Sequence, residues 1–499
     1  MKLIVQILFL IINALFIEES LSIENRSKKP NILLFLTDDQ DSELDGTEPI
    51  RKTRSWLEDN GATFVNSFVS TPICCPSRSS LLTGMYQHHT KVWNNTLDGN
   101  CWGSDWRSTS ENKTFGALLK SKGYSTFYAG KYLNTYGLRE DWKEVPEGWD
   151  EWAGLVGNSK YYNYNLSING ELEEHFNSYE EDYFTDVIKR KALAFLESYK
   201  EKKINNRTNE ETPFLMVVSN SSPHGPNTPA PHYKKEFSNK FVPRTPAFNY
   251  VKDVETEKHW ILRSDCLTND TISVVDDHAR NRWRTLLSVD DQVDEIMKKL
   301  EDLELLESTY IIYTSDHGFH LGTFALPWGK RMNYETDLRV PLYIRGPGIA
   351  PQQKIEDIAV NIDLAATIMD MAGETFEKTD GISLLPFIQD NNQTGRNGFN
   401  RTDKFLITYF GMPKKSFGIG QEHKPKDSVN NTYACLRTLN KDENNICCRF
   451  DDNEAFVEAY DLTYDPYQLD NLAVSNDQKV EPGWIESCVE EVEKTIENL

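Results

Sequence analysis

Several short runs of apolar residues along the chain end abruptly at clusters of polar residues. The clearest runs are Ile32–Leu36, Phe214–Val218 and Tyr310–Tyr313. Continuous apolar runs of this length predict strands of a parallel sheet that is buried on both faces. In such sheets, ligands gather beyond the carboxyl ends of the strands. The side chains expected at that edge are Asp38, Asp39, His224, Asp316 and His317.

Helical patterns lie between these runs, and the alternation predicts an α/β fold. One helix is predicted over Arg282–Leu303, where apolar residues recur at helical spacing. Another is predicted over Asp363–Ala372, with Gly373 in the left-handed position that ends many helices.

The chain becomes polar beyond Asp390, and we place a domain boundary there. The large domain is expected over residues 23–390 and the C-terminal domain over residues 391–499. Short strand patterns at Lys404–Tyr409 and Ala455–Tyr460 predict that the C-terminal domain is a small antiparallel α+β unit.

Charge and composition narrow the classes of function. The 499 residues include 54 Lys and Arg against 77 Asp and Glu, which gives a formal charge of −23. A nucleic-acid binder needs an excess of positive charge to neutralise phosphates, so that class is not expected. An anionic ligand would have to be captured by a local cluster of positive groups against the overall field.

The N-terminus predicts export from the cytoplasm. An apolar run over Leu3–Phe16 follows Lys2, and small residues end at Ser22, which is typical of a signal peptide over residues 1–22. The alternative is an uncleaved membrane anchor; no later run is long enough to span a membrane.

Ten Asn-X-Ser/Thr sites predict a glycoprotein: Asn25, Asn94, Asn112, Asn165, Asn206, Asn220, Asn269, Asn392, Asn400 and Asn430.

Eight cysteines are too few for a disulfide scaffold in a chain of this length, but they allow two or three bridges. The expected pair is Cys435 with Cys447 or Cys448, which would close a short loop near the C-terminus.

The segment Cys74–Gly84, CCPSRSSLLTG, has the strongest chemical character. Pro76 marks a helix start, and Arg78 adds positive charge there. A thiol held at such a helix terminus would have a lowered pKa and could act as a nucleophile. The alternative is that Cys74 and Cys75 are a buried structural pair.

This segment resembles the type I sulfatase signature C-x-P-S-R-x-x-x-L-T-G at every fixed position, with Cys74 first. The resemblance implies an alkaline-phosphatase-like α/β fold. It also implies that a formylglycine-generating enzyme oxidises Cys74 to formylglycine, whose hydrate is the nucleophile. It extends over most of the chain, through Lys160–Gly170, His259–Arg263, Asn361–Gly373 and Tyr460–Leu472. These segments are similar to the sulfatase subgroup that acts on the 6-position of glucosamine.

The acidic side chains at the predicted sheet edge are candidate metal ligands, since adjacent carboxylates are costly unless a cation neutralises them. Alternatively, the two early Asp cap a helix and Asp316 forms a turn. The sulfatase resemblance implies one Ca²⁺ held by Asp38, Asp39, Asp316 and the converted Cys74. Where that family usually has Asp-Asn-Gly, this chain has His317, a softer ligand that leaves the identity of the metal open.

The resemblance also implies catalytic roles for four basic side chains. Arg78 would hold the nucleophile, Lys131 and Lys330 would stabilise charge on the sulfate oxygens, and His224 would donate a proton to the leaving sugar oxygen. The histidine that many arylsulfatases carry two places after the first lysine is replaced by Leu133. The base that completes the cycle is therefore open, with His88, His89 and His317 as candidates.

The expected activity is hydrolysis of the 6-sulfate ester of glucosamine or N-acetylglucosamine in heparan or keratan sulfate, in a lysosome-like compartment. Between Gly373 and Asn400 there is no basic run to hold a long polyanion, which favours a terminal sugar. The alternatives are a secreted endosulfatase, a phosphatase of the same superfamily, and an inactive carbohydrate-binding glycoprotein.

Overall fold

The computed structural model describes residues 29–205, 212–251, 257–263, 265–389, 403–412, 427–474 and 482–497. The predicted signal peptide over residues 1–22 and the predicted boundary at residue 390 lie outside these ranges. No helix within these ranges is long and apolar enough to cross a membrane.

The elements alternate along the chain as the apolar pattern predicts. The strands are β1 (Asn31–Asp38), β2 (Ala62–Phe64), β3 (Ser67–Phe68), β4 (Ser125–Gly130), β5 (Glu151–Leu155), β6 (Tyr164–Ile168), β7 (Glu171–His175), β8 (Phe214–Pro223), β9 (Thr309–Ser315), β10 (His320–Leu321), β11 (Trp328–Gly329), β12 (Leu342–Arg345), β13 (Gln353–Ile355), β14 (Ala359–Val360), β15 (Lys404–Tyr409), β16 (Tyr433–Leu439), β17 (Asn444–Phe450) and β18 (Val457–Asp461). The helices are α1 (Arg51–Leu57), α2 (Cys74–Thr83), α3 (Gln87–Thr90), α4 (Ser104–Thr109), α5 (Phe115–Ser121), α6 (Tyr179–Asp182), α7 (Phe184–Asn205), α8 (Asn269–Asp302), α9 (Glu335–Leu338), α10 (Asp363–Met371), α11 (Leu385–Gln389) and α12 (Pro482–Glu497).

A ten-stranded mixed sheet forms the centre of the large domain, in the order β13-β2-β12-β9-β1-β8-β4-β5-β6-β7. The five central strands, β9 to β5 in that order, are parallel, and antiparallel strands flank them. Every residue of β1 is buried, with Ile32 and Leu34 in one apolar cluster and Leu33 and Phe35 in another. Helices therefore cover both faces of the sheet, which confirms the predicted α/β architecture.

The first cluster also holds side chains from α2, α5 and α10, and the second holds side chains from α7 and α8. Helix α8 begins at Asn269, thirteen residues before the predicted start at Arg282. Its first turns are polar and partly exposed, so apolar spacing did not reveal them, and the Thr268 side chain caps them by accepting from Thr271 N. The predicted helix end at Gly373 is confirmed, with a left-handed φ of 71°.

The C-terminal part contains a four-stranded antiparallel sheet, β15-β16-β17-β18, as predicted. One face packs against the large domain, where Cys435 and Phe450 meet Phe68. The other face is covered by α12, through Cys488 and Val492.

The register of the C-terminal sheet shows which of Cys447 and Cys448 pairs with Cys435. Cys435 lies directly opposite Cys448 in the β16–β17 register, and these two form the bridge. Cys447 points to the other face of the sheet, because successive side chains of a strand alternate.

One of the ten Asn-X-Ser/Thr sites lies in the core of the large domain. Asn220 is fully buried in β8, where its Nδ2 donates to Gln292 Oε1 over 2.8 Å. A glycan on this side chain would be incompatible with the core. Asn112, Asn269 and Asn430 are exposed, and Asn25, Asn206, Asn392 and Asn400 lie outside the described residues.

Candidate active site

Strands β9, β1 and β8 are neighbours in the sheet and end at the same edge. Asp38 and Asp39 stand at the end of β1, Asp316 and His317 follow β9, and His224 follows β8. The structure therefore brings together the five side chains that were expected there. Only glycine fits at position 318, after Asp316 and His317, because an added Cβ would lie 2.2 Å from the carbonyl oxygen of Thr336.

Cys74 is the first residue of α2 and is completely buried at this edge. Its Sγ lies 3.1 Å from Lys330 Nζ and 3.3 Å from His317 Nε2. Burial raises the pKa of the thiol, but the charges of Lys131 and Lys330 outweigh it and hold the pKa well below its ordinary value. The site thus stabilises negative charge at this position.

The two adjacent cysteines have separate roles. Cys75 is bridged to Cys101, whereas Cys74 is a free thiol. The alternative that Cys74 and Cys75 are a structural pair is therefore wrong.

Four buried donors, Asp38, Asp39, Cys74 and His317, place one ligand atom each within 4.8 Å of one another. Asp38 Oδ1 accepts no hydrogen bond, and Asp39 adopts a left-handed φ of 73°. His317 Nδ1 is 2.9 Å from the carbonyl oxygen of Gly318, which directs Nε2 into the cluster. An unsatisfied buried carboxylate oxygen among converging donors fits a bound divalent cation.

Asp316 lies beside these four donors. Its Oδ2 accepts from Arg78 Nε over 2.8 Å, and its Oδ1 accepts from the backbone N–H groups of Asp39 and His317. Oδ1 is also 3.6 Å from His317 Nε2. Burial and the charge of Asp38 raise the pKa of Asp316 to about 6.

Three cations surround the carboxylates. Lys131 Nζ donates to Asp38 Oδ2 over 2.6 Å, and Lys330 Nζ donates to Asp39 Oδ1. Arg78 reaches across the site, with Nη2 3.9 Å from Asp38 Oδ1. Burial lowers the pKa of Lys330, but attraction to Asp39 outweighs it, so the pKa is raised and the ammonium stays charged.

The structure separates the candidate histidines. His224 Nε2 is 4.0 Å from Asp39 Oδ2, and its side chain is 18% exposed, whereas that of Asp39 is buried. His317 Nε2 contacts Cys74 Sγ. His88 and His89 lie on α3; His89 pairs with Asp380, and His88 stacks on Tyr86, so their described contacts are away from Cys74.

Two serines of this site were not predicted. Ser159 Oγ donates to Asp38 Oδ2, and Ser219 Oγ accepts from Arg78 Nη1 while donating to the carbonyl oxygen of Lys131. The sequence offered an indication of each. Ser159 directly precedes a segment that carries the family resemblance, and Ser219 is the first polar residue after a predicted strand.

Comparisons with known proteins give matches over most of the chain. The sulfatase family profile matches residues 30–374, and the profile of the N-sulphoglucosamine sulphohydrolase C-terminal region matches residues 325–494. The chain is 45% identical over 473 residues to N-acetylglucosamine-6-sulfatase of Capra hircus, covering 91% of this chain and 82% of that protein. It is 41% identical over 402 residues to the extracellular sulfatase SULF-1 homolog of Drosophila melanogaster, covering 79% of this chain and 34% of that protein.

The fold also matches solved structures. A protein solved with its substrate D-glucosamine-2-N,6-O-disulfate superposes with a TM-score of 0.71 and 22% identity, covering 94% of this chain and 99% of the other. Together with the match of the family profile to most of the chain, the sequence and the fold lead to one conclusion: this chain belongs to the sulfatase family and is a sulfuric ester hydrolase.

Proposed function

We propose that this protein hydrolyses the 6-sulfate ester of N-acetylglucosamine or glucosamine residues in sulfated glycosaminoglycans such as heparan and keratan sulfate. The observation that carries the proposal is the 45% identity to an N-acetylglucosamine-6-sulfatase across 91% of the chain. The buried cluster of cations around Cys74 supports it, because a chain with a charge of −23 needs local positive groups to hold a sulfate.

The residues proposed to hold one divalent cation are Asp38, Asp39, Asp316 and His317, with residue 74 as a further donor. The unsatisfied Asp38 Oδ1 supports this assignment. Three carboxylates favour a hard cation such as Ca²⁺, while the imidazole would also suit a transition metal. When bound, the cation would supply positive charge to the sulfate group and to the nucleophile.

The nucleophile is proposed to be formylglycine, made from Cys74 by a formylglycine-generating enzyme; its hydrated aldehyde supplies the attacking oxygen. The Cys74 Sγ atom marks the position of that oxygen. Lys330, 3.1 Å from this atom, would contact the reacting sulfate group. Arg78 would orient the end of β9 through Asp316.

Lys131 and Lys330 would stabilise the charge that develops on the sulfate oxygens. Both ammonium groups are buried, and each is ion-paired to one carboxylate of the site. A buried charge acts strongly on a transition state because little water screens it. His224, whose side chain is partly exposed, would donate a proton to the leaving sugar oxygen.

His317 is the proposed base for release of sulfate if it does not bind the cation. Its Nε2 faces both Cys74 Sγ at 3.3 Å and Asp39 Oδ1 at 3.4 Å. One nitrogen cannot bind a cation and accept a proton at the same time, so only one of these roles applies.

The substrate is proposed to be a terminal sugar, cleaved in an acidic lysosome-like compartment. The acidic chain would repel a long polyanion, whereas a few local cations can hold one end residue. The alternative is endo-acting hydrolysis outside the cell, which the similarity to the Drosophila extracellular sulfatase keeps open.

The test is a heparan oligosaccharide that carries 6-sulfates on both internal and non-reducing terminal glucosamines. We expect release of the terminal sulfate only, with more activity at acidic than at neutral pH. Comparable loss of internal sulfates at neutral pH would replace the proposal with the endosulfatase alternative. A Cys74→Ala variant from the same host controls for contaminating sulfatases.

A further inference from the structure

Two buried cysteines face each other between the C-terminal sheet and the helix that covers it. Cys447 on β17 is 1% exposed and Cys488 on α12 is 7% exposed. Cys488 Sγ lies 3.9 Å from the carbonyl oxygen of Cys447. The two side chains lie together in one small apolar cluster that includes Leu436 and Val492.

The strand geometry leaves Cys447 no other partner among the described cysteines. Its neighbour Cys448 points to the opposite face of the sheet and is bridged to Cys435. Cys74 is buried in the active site, and Cys266 is exposed in the segment before α8. Among the described cysteines, Cys447 can thus form a disulfide only with Cys488 on α12.

We propose that Cys447 and Cys488 form a third disulfide in the mature protein, which fastens α12 to the C-terminal sheet. The two cysteines are 41 positions apart, so the bond would close a loop that contains β18. Besides its apolar contacts, the helix makes partly exposed ion pairs with the sheet, Arg449 with Glu493 and Lys404 with Glu491, a class of contact that contributes little.

The oxidation balances as a thiol–disulfide exchange. Each thiol loses one proton and one electron, the S–S bond forms, and a thiol oxidoreductase in its disulfide form takes up both electrons and both protons as it becomes a dithiol. The two bridges already present, Cys75–Cys101 and Cys435–Cys448, are consistent with an oxidising compartment.

The inference does not depend on the substrate, since none of the proposed catalytic residues belongs to the apolar cluster around Cys447 and Cys488.

The experiment uses the full chain secreted from eukaryotic cells, denatured without reductant, alkylated and analysed by peptide mass spectrometry. We expect Cys266 to be alkylated and Cys488 to remain unalkylated until a reductant is added. Fragmentation should identify a cross-link between Cys447 and Cys488, lighter than the free thiols by two hydrogen atoms. Full alkylation of Cys488 before reduction would overturn the proposal.

A matched variant separates this bond from the neighbouring one. In Cys447→Ala, Cys488 should become fully alkylated while Cys435 and Cys448 stay bridged. If Cys488 remained protected in this variant, it would have another partner and the proposal would be wrong. Cys266→Ser is the control, and it should leave the alkylation of Cys488 and the melting temperature as in the wild type. The wild-type cross-link decides the question even if Cys447→Ala fails to fold.

Discussion

Arg78 Nε donates to Asp316 Oδ2 over 2.8 Å, and both side chains are buried. The two residues are 238 positions apart, yet their ion pair joins the signature helix α2 to the end of β9. Removing one member of such a pair leaves an uncompensated buried charge, which costs about 3–5 kcal/mol. The pair therefore links the stability of this domain to the geometry of its active site.

The first prediction concerns this pair. Asp316→Asn should lower kcat by about 100-fold or more, because it removes charge from the site and loosens Arg78. The protein should still fold, with a lower melting temperature. Turnover and calorimetry measure the two effects. Asp302→Asn, at the exposed end of α8, is the control and should match the wild type. Wild-type turnover in Asp316→Asn would contradict the assignment of Asp316.

The second prediction separates the adjacent cysteines. Cys74→Ala should abolish sulfatase activity and leave the melting temperature nearly unchanged. Cys75→Ala should remove the bridge to Cys101 and cost about 2–4 kcal/mol of stability. Peptide mass spectrometry of the wild type should find the aldehyde at Cys74 and none at Cys75. Active protein with an unmodified Cys74 thiol would disprove the proposed nucleophile.

The third prediction concerns the cation. A chelator should lower both the activity and the melting temperature, and added Ca²⁺ should restore them, because a ligand that binds only the folded state stabilises it by about 2.7 kcal/mol at 100 times its Kd. Asp39→Asn should lose this response to the ion. Calorimetry with Ca²⁺ and with Mn²⁺ compares the two metals at the His317 site. A chelated protein with full activity would exclude the metal site.

The fourth prediction is a pH dependence of stability that arises outside the active site. Glu111 is buried, with Oε1 making no hydrogen bond, and burial together with the charge of Glu147 raises its pKa from 4.5 to about 8. The folded state therefore retains a proton that the unfolded state releases. This stabilising contribution is complete below pH 4.5 and is lost as the pH rises to about 8, by an amount on the order of 5 kcal/mol.

Denaturant unfolding between pH 4.5 and pH 8 measures this contribution. Glu111→Gln, which mimics the protonated form, should be less dependent on pH than the wild type. Glu301→Gln on the exposed side of α8 is the control and should keep the wild-type slope. Equal slopes in the wild type and Glu111→Gln would show that Glu111 does not carry the effect.

The fifth prediction concerns glycosylation. Asn220 should carry no glycan, because its amide is buried against Gln292. Asn112, Asn269 and Asn430 are exposed and should be accessible to the glycosylating enzyme. Enzymatic deglycosylation in ¹⁸O-labelled water converts each glycosylated Asn to a labelled Asp, which mass spectrometry then identifies. Occupancy at Asn220 would contradict the register of β8.

The sequence by itself determined the architecture and the chemical centre of this protein. The apolar runs beginning at Ile32, Phe214 and Tyr310 identified three central strands, because a strand that is buried on both faces has to be apolar throughout. The residues after those runs had to meet at one edge, because parallel strands end together. The signature at Cys74 then identified the family.

Only the tertiary structure decided which groups touch. Lys131 pairs with Asp38 across 93 positions, and no local pattern encodes a contact of that separation. The choice of Cys448 over Cys447 depended on the cross-strand register, and the burial of Asn220 depended on the packing of α8 against β8. In each case the deciding contact joins different elements of the fold, so the side chain's environment exists only after the sheet has formed.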